Sequence, residues 1–250
     1  MQIDSFGPPS SPEATWLKEQ ITSVILRAES TSPRSLQGEL GASDLSNPCD
    51  RYIAYKLMGV PGHNNADPWP AIVGTGIHMW LEQAIDRVGP TNWLTEQELP
   101  IGDQILSHGD LFLINEGWVV DHKSAGKDRM TEVTKNGPPQ KYINQVNIYG
   151  LGYEAQGYTV NKVALVFYPR AGRLRDIWTW VGPYQPELAF HALDRVPRIA
   201  DQIRSLDPVA FPHRWEQIDA TPSHDCGYCP FYNVERTAEQ GASDDGCPGR

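Results

Sequence analysis

Gly109-Asp110-Leu111-Phe112-Leu113-Ile114-Asn115-Glu116-Gly117-Trp118-Val119-Val120-Asp121-His122-Lys123 contains two apolar runs and a turn. Leu111 to Ile114 and Trp118 to Val120 are strand-like, and Asn115-Glu116-Gly117 between them has the length and composition of a tight β-hairpin. Asp110 opens the first strand and Asp121 closes the second. Antiparallel pairing therefore predicts that the two carboxylates meet at the end opposite the turn. Carboxylates held that close repel unless a cation sits between them, and an oxygen-rich site suits Mg²⁺ or Mn²⁺. Lys123, two residues past Asp121, shares its face of the strand. An ammonium there can orient a water or stabilise charge developing on a phosphate.

Upstream, Glu96 to Ile101 reads as a strand leading into the hairpin. Glu96 or Glu98 could add a carboxylate near the metals, but the pattern reads as a solvated strand face. Ala71 to Val88 reads as a helix whose inward stripe of Gly74, Ile77, Leu81 and Ile85 includes His78. Downstream, Gly137-Pro138-Pro139 breaks the chain before a helix from about Gln140 to Gln156, with Gln145 and Tyr149 on one face. Gly150 and Gly152 weaken its end. Lys162 to Tyr168 and Leu174 to Val181 read as strands, the second with Trp178 and Trp180 on one face, and Glu187 to Leu206 as a last helix. At the other end, residues up to about Pro12 read as a flexible tail and Glu13 to Ala28 as an amphipathic helix carrying Trp16, Ile21, Val24, Ile25 and Leu26. Asn47 can cap a further helix with Pro48 first, which places Cys49 in its first turn, where the partial positive charge favours a thiolate.

The 250 residues are 40% hydrophobic and 21% charged, enough for one generous core, and residues 13–250 are read as a single domain. No apolar run reaches the roughly 20 residues of a membrane span, and the first residues lack a signal peptide's basic and apolar regions, so a cytoplasmic protein is expected. A net charge of -10 argues against a general nucleic-acid coat. It leaves room for a local channel, for which Lys127, Arg129, Lys135 and Lys141 beside Lys123, and Arg170, Arg173 and Arg175 further on, are the candidates.

Cys226-Gly227-Tyr228-Cys229 can grip one metal with two sulfurs, and Cys49 and Cys247 bring the number to four, as Zn²⁺ or an iron-sulfur cluster requires. In a reducing compartment disulfides are disfavoured, and the β-α setting of a thioredoxin-like pair is missing.

Gly-Asp, a hairpin and Asp121-His122-Lys123 resemble the PD-(D/E)xK nuclease superfamily, with Gly109 where the family name has proline. Gly74-Thr75-Gly76-Ile77-His78 resembles the Gly-x-x-x-His motif of its RecB-like branch, and Gln145 with Tyr149 the Gln-x-x-x-Tyr motif. One cysteine before the core and three after it are similar to the iron-sulfur subclass, AddB-type helicase-nucleases and the Cas-four exonucleases. The Cys229 to Cys247 interval is longer than usual there; His224 or Asp225 could substitute as fourth ligand, or 230–246 could be an insertion. No helicase P-loop is present, which favours a freestanding, phage-encoded or bacterial nuclease.

The resemblance implies an α/β fold, a restriction-endonuclease-like α/β/α core with a mixed central sheet at about 71–206. Cluster segments at about 46–57 and 222–250 would clasp a [4Fe-4S] cluster (alternatively Zn²⁺) on Cys49, Cys226, Cys229 and Cys247. It implies Mg²⁺ or Mn²⁺ on His78, Asp110, Asp121 and the His122 carbonyl, with Lys123, Gln145 and Tyr149 in the catalytic site, and Lys127, Arg129, Lys135, Lys141 and Arg170 on DNA. The implied activity is exonucleolytic hydrolysis of DNA in recombination, repair or CRISPR-type end processing; a non-catalytic DNA-end-binding or recombination-accessory protein is the alternative. DNA ends, recombination or CRISPR-adaptation proteins and further copies of the chain are the implied partners.

Overall fold

The computed structural model describes residues 12–31, 40–64, 67–102 and 105–249, without the side chains of His224 and Asp225. Contacts divide the chain into two units, residues 1–38 and 39–250. In the first, α1 (Pro12–Ser30) is the expected amphipathic helix, slightly extended, with Trp16, Leu17, Ile21, Val24 and Leu26 exposed. Of the proposed tail, 1–12, Pro12 is the first residue of this helix and 1–11 lie outside the described residues.

In the second unit the helices are α2 (Ala42–Leu45), α3 (Asp50–Leu57), α4 (Trp69–Val88), α5 (Lys127–Asn136), α6 (Gln140–Ala155) and α7 (Pro186–Leu206). The strands β1 (Trp93–Gly102), β2 (Ile105–Leu113), β3 (Trp118–Ala125), β4 (Lys162–Pro169) and β5 (Trp178–Pro183) form one mixed sheet in the order β1-β2-β3-β4-β5. Within this sheet only β3 and β4 pair in parallel, which requires the long crossover through α5 and α6. Alternation along the strands fills two faces. On one, Phe112, Val119, Val163, Leu165 and Phe167 pack with Val146, Tyr149 and Tyr153 of α6; on the other, Leu111, Val120 and Ala164 pack with Ile85 of α4. A five-stranded mixed sheet between helices is the layering expected of a restriction-endonuclease-like core. No helix among the described residues is long and apolar enough to cross a membrane.

Two local expectations are corrected, and two features left open by the sequence are decided. The hairpin turn has four residues, 114–117, because Gly117 adopts φ 66° and donates its N–H to the Leu113 carbonyl at 2.8 Å. The Gly117 carbonyl then accepts from the Asn161 N–H at 2.7 Å, which starts β4 beside β3. Cys49 is the N-cap of α3 and not in its first turn, since Asn47 Oδ1 accepts the Cys49 N–H at 3.0 Å and holds the chain out of the helix until Asp50. The basic stretch after Lys123 is helical: α5 buries Val133, with Met130 partly buried against the core, and its polar remainder leaves no apolar stripe to read. Gly150 and Gly152 do not end α6. A Cβ on them would lie 2.4 Å from the Tyr184 ring and 2.7 Å from Leu99, so their role is close approach to neighbouring layers.

Gly109 is constrained in the same way. A Cβ there would lie 2.7 Å from Leu99 Cδ1 and 2.9 Å from the Tyr153 hydroxyl, and both side chains are fully buried. Gly109→Ala is therefore expected to destabilise by about 1–3 kcal/mol through overpacking, read as a lower midpoint in denaturant unfolding. An unchanged midpoint would show that Leu99 and Tyr153 can move aside.

Candidate active site

The β2–β3 ladder runs from Leu113↔Trp118 to Leu111↔Val120 and stops there. In the gap beyond, the Asp110 carboxylate replaces the next backbone partner: its Oδ2 accepts the His122 N–H at 2.6 Å. From α4, His78 Nδ1 comes within 3.5 Å of the same oxygen. Burial pushes the Asp110 carboxyl up, but the hydrogen bond and charge of His78, with the charge of Lys123, outweigh it and hold the group below its ordinary range. His78 is raised in return, burial opposing and Asp110 prevailing.

On β3, Asp121 is 1% exposed, and burial pushes its carboxyl up to about 6 despite the neighbouring ammonium. Lys123 Nζ straddles it, 2.9 Å from Oδ1 in an aligned hydrogen bond and 2.7 Å from Oδ2 as an ion pair without hydrogen-bond alignment. The ammonium also donates to Gln145 Oε1 at 2.9 Å, and Gln145 Nε2 donates to the Tyr149 hydroxyl at 2.7 Å. Sharing one face of α6, Gln145 and Tyr149 extend a buried polar chain Asp121–Lys123–Gln145–Tyr149. Burial opposes the charge on Lys123, but Asp121 and Asp110 together hold its pKa above the ordinary value.

The side chain of His122 leaves by the opposite face. Its Nδ1 lies 3.2 Å from the Tyr168 hydroxyl, its Nε2 is buried without a hydrogen-bond partner, and its ring stands edge-on to His78 at 6.0 Å. Burial lowers its pKa to about 4, so the ring is neutral. Of the basic residues, Lys127 and Lys135 open and close α5, and Arg129 pairs with Glu132 at 2.8 Å. Tyr142 lies between Lys123 and Lys141, whose Nζ atoms are 5.0 and 5.3 Å from its ring. Arg170 reaches Ser124 Oγ at 3.3 Å.

The four cysteines, all free thiols, line one cavity of about 260 Å³. Cys226 and Cys229 lie on either side of a tight turn in which the Cys229 N–H donates to the Cys226 carbonyl at 3.0 Å. Cys247 returns to them because its N–H donates to the Phe231 carbonyl at 2.8 Å and its carbonyl accepts from Asn233 at 2.9 Å. Residues 234–246 are thus a closed excursion, which accounts for the long interval in sequence. Tyr55 of α3 packs against Trp215 and Phe231 at 4.5 and 5.0 Å, and buried Arg51 donates to Cys247 Sγ at 3.6 Å, so α3 and the C-terminal segment form one packed body.

No family model and no curated protein matches the chain. Among solved structures, a protein designated SSO0001 is similar at a TM-score of 0.48 and 20% identity, over 86% of this chain and 94% of that one. The alkaline exonuclease LHK-Exo from Laribacter hongkongensis is similar at 0.49 and 15% identity, over 69% and 93%. A phage-related exonuclease from Haemophilus somnus is similar at 0.46 and 14%, over 62% and 81%. LHK-Exo has also been solved in complex with dAMP.

The structure thus brings together His78, Asp110, Asp121, Lys123, Gln145 and Tyr149. It also brings in Glu96, which strand alternation assigns to solvent. Ligand atoms of His78, Glu96 and Asp110 lie within 4.8 Å of one another. Glu96 sits at φ 45°, a left-handed backbone for a residue with a side chain, and falls opposite Asp110 where the β1–β2 register skips one pair. The kink reverses the alternation. Leu94 and Leu99, an odd number apart, both pack in the α6-side core. Burial first, and Asp110 second, push the Glu96 carboxyl up to about 7. Glu98, by contrast, is exposed.

Proposed function

We propose that this chain is a metal-dependent DNA exonuclease of the PD-(D/E)xK type, carrying a [4Fe-4S] cluster. The observation that carries the reading is the buried chain Asp121–Lys123–Gln145–Tyr149 beside the His78, Glu96 and Asp110 group. Carboxylate oxygens with one imidazole suit a hard divalent cation, and the raised carboxyls of Glu96 and Asp121 on either side of Asp110 ask for positive charge. His78, Glu96, Asp110, Asp121 and the His122 carbonyl would hold Mg²⁺ or Mn²⁺, which supplies Lewis acidity toward a phosphate oxygen when bound.

The protein's own groups define the rest. Because its pKa is raised, Lys123 stays an ammonium near neutral pH and acts as a donor, not as a base. Of its three N–H groups, two are directed to Asp121 and Gln145, leaving one for the attacking water or a phosphate oxygen. Gln145 fixes where that donor points, and Tyr149 fixes Gln145. Lys127, Arg129, Lys135, Lys141 and Arg170 provide cations for the phosphate backbone.

For the cysteines, the donor set is chemically right for either zinc or iron and sulfide. Among the described residues no three of these sulfurs lie within 4.8 Å of one another. A single zinc ion at a Zn–S distance of about 2.3 Å would draw all four to about 3.8 Å apart. The order of the cysteines, one before the core and three after it, is what supports a [4Fe-4S] cluster on Cys49, Cys226, Cys229 and Cys247, in a structural role, with zinc as the alternative.

The test is cleavage of end-labelled single-stranded and duplex DNA by the full chain with Mg²⁺, Mn²⁺ or EDTA. Metal-dependent trimming from an end is the expected result. DNA bound in every condition and cut in none would replace the enzyme by an end-binding protein.

A further inference from the structure

Helix α4 is apolar on more than its sheet-facing side. Trp80 and Met79 are 62% and 53% exposed although the same helix delivers His78 to the carboxylates. Trp80 forms one wall of a groove of about 450 Å³ completed by Ile77, Tyr168, Leu174, Ile177 and Arg173. Leu174, on the far wall, is 86% exposed.

The rim of this groove differs in charge from the rest of the molecule. In a chain of net charge -10, Arg173 lines the groove, and Arg170 and Arg175, next in sequence to the lining residues Pro169 and Leu174, are exposed like it. The adjacent carboxylate of Asp176 is turned to the backbone, accepting the Arg173 N–H at 2.9 Å. Two contacts tie the groove to the strand that carries Asp121 and Lys123. Tyr168 on its wall hydrogen-bonds to His122, and Arg170 is tied to Ser124, the residue after Lys123.

From this placement we infer that the groove binds a single strand of DNA, one base stacking on Trp80 while Arg170, Arg173 and Arg175 take the phosphates. The inference rests on the nuclease reading and names its substrate form. Apolar walls under a cationic rim suit unpaired bases, whose faces are free to stack and whose backbone is anionic. Duplex DNA hides its base faces and would use the rim alone.

The experiment is fluorescence anisotropy of a labelled oligothymidine with the full chain in EDTA, where nothing is cut. Trp80→Ala is expected to weaken binding by about 5- to 100-fold, with Trp80→Phe retaining most of it. Arg173→Gln is expected to lower the slope of log affinity against log salt by about 0.7. Blunt duplex should respond to Arg173→Gln and not to Trp80→Ala. Unchanged oligothymidine affinity in Trp80→Ala, or an equal loss on duplex, overturns the proposal. Cleavage by wild type in Mn²⁺ separates the two readings. A strand bound through Trp80 but never cut sinks the nuclease and keeps the groove; a strand cut without dependence on Trp80 does the reverse.

Discussion

Lys123→Ala is expected to slow DNA cleavage about a thousandfold or more. Two losses combine. On the proposed reading the ammonium is the donor directed at the reacting phosphate or water, and its charge also opposes the rise of the Asp121 carboxyl. Burial already pushes that carboxyl up to about 6 with Lys123 in place. Without the ammonium the carboxyl is pushed further up, which weakens its hold on a cation. Lys123→Arg should not rescue activity, because a planar fork cannot place one donor between Asp121 and Gln145 in a site where the lysine side chain is only 17% exposed. Gln145→Leu should cost less, about ten- to a hundredfold, since it misdirects the donor without removing it. Single-turnover cleavage of end-labelled DNA in Mn²⁺, with circular dichroism as the control for folding, measures all three. A Lys123→Ala rate within about tenfold of wild type would falsify the assignment.

Cys229→Ser is expected to empty the cysteine site and to lower the melting temperature by about 10 °C or more. In the metal-free arrangement burial pushes the Cys229 thiol up to about 11, and the neighbouring sulfurs of Cys49, Cys226 and Cys247 push it the same way. Four thiolates in that cavity therefore need a cationic centre to coexist. The site also joins α3 to the end of the chain, where Arg51 spans Cys247, Glu216 and the Ile218 carbonyl, so losing its contents loosens both. Iron analysis should fall from about four atoms per chain to none. One zinc per chain in the wild type would replace the cluster by a zinc site. A serine variant that melts at the same temperature as the untreated wild type would leave the cysteines as ordinary thiols.

The elements of the site legible in the sequence are those whose geometry is local. Strand alternation puts Lys123 beside Asp121, helical spacing puts Gln145 beside Tyr149, and a short turn brings Asp110 toward Asp121; each follows from covalent geometry over a few residues. Helical spacing made His78 legible only as an inward position; that it would face the carboxylates came from the resemblance of Gly74 to His78 to the Gly-x-x-x-His motif.

Other features depended on contacts between distant segments. Glu96 looks solvent-facing by alternation and enters the site because one left-handed residue reverses the strand opposite Asp110. Cys247 rejoins Cys229 through a backbone pair with Phe231 and Asn233, which no spacing rule anticipates. Gly150 and Gly152 register in sequence as weak positions and Gly109 as a replacement for the family's proline, whereas their reason is a neighbour that would collide with a Cβ. α5 carries no apolar stripe because a helix that buries so little needs none. By itself, then, the sequence determined the hairpin, its paired acids and lysine, and the helices that flank them, because these arise from interactions a few residues long. The kinked carboxylate, the reunion of the cysteines and the groove beside Trp80 were decided only by tertiary packing, because each is made by segments that meet solely when the sheet is assembled.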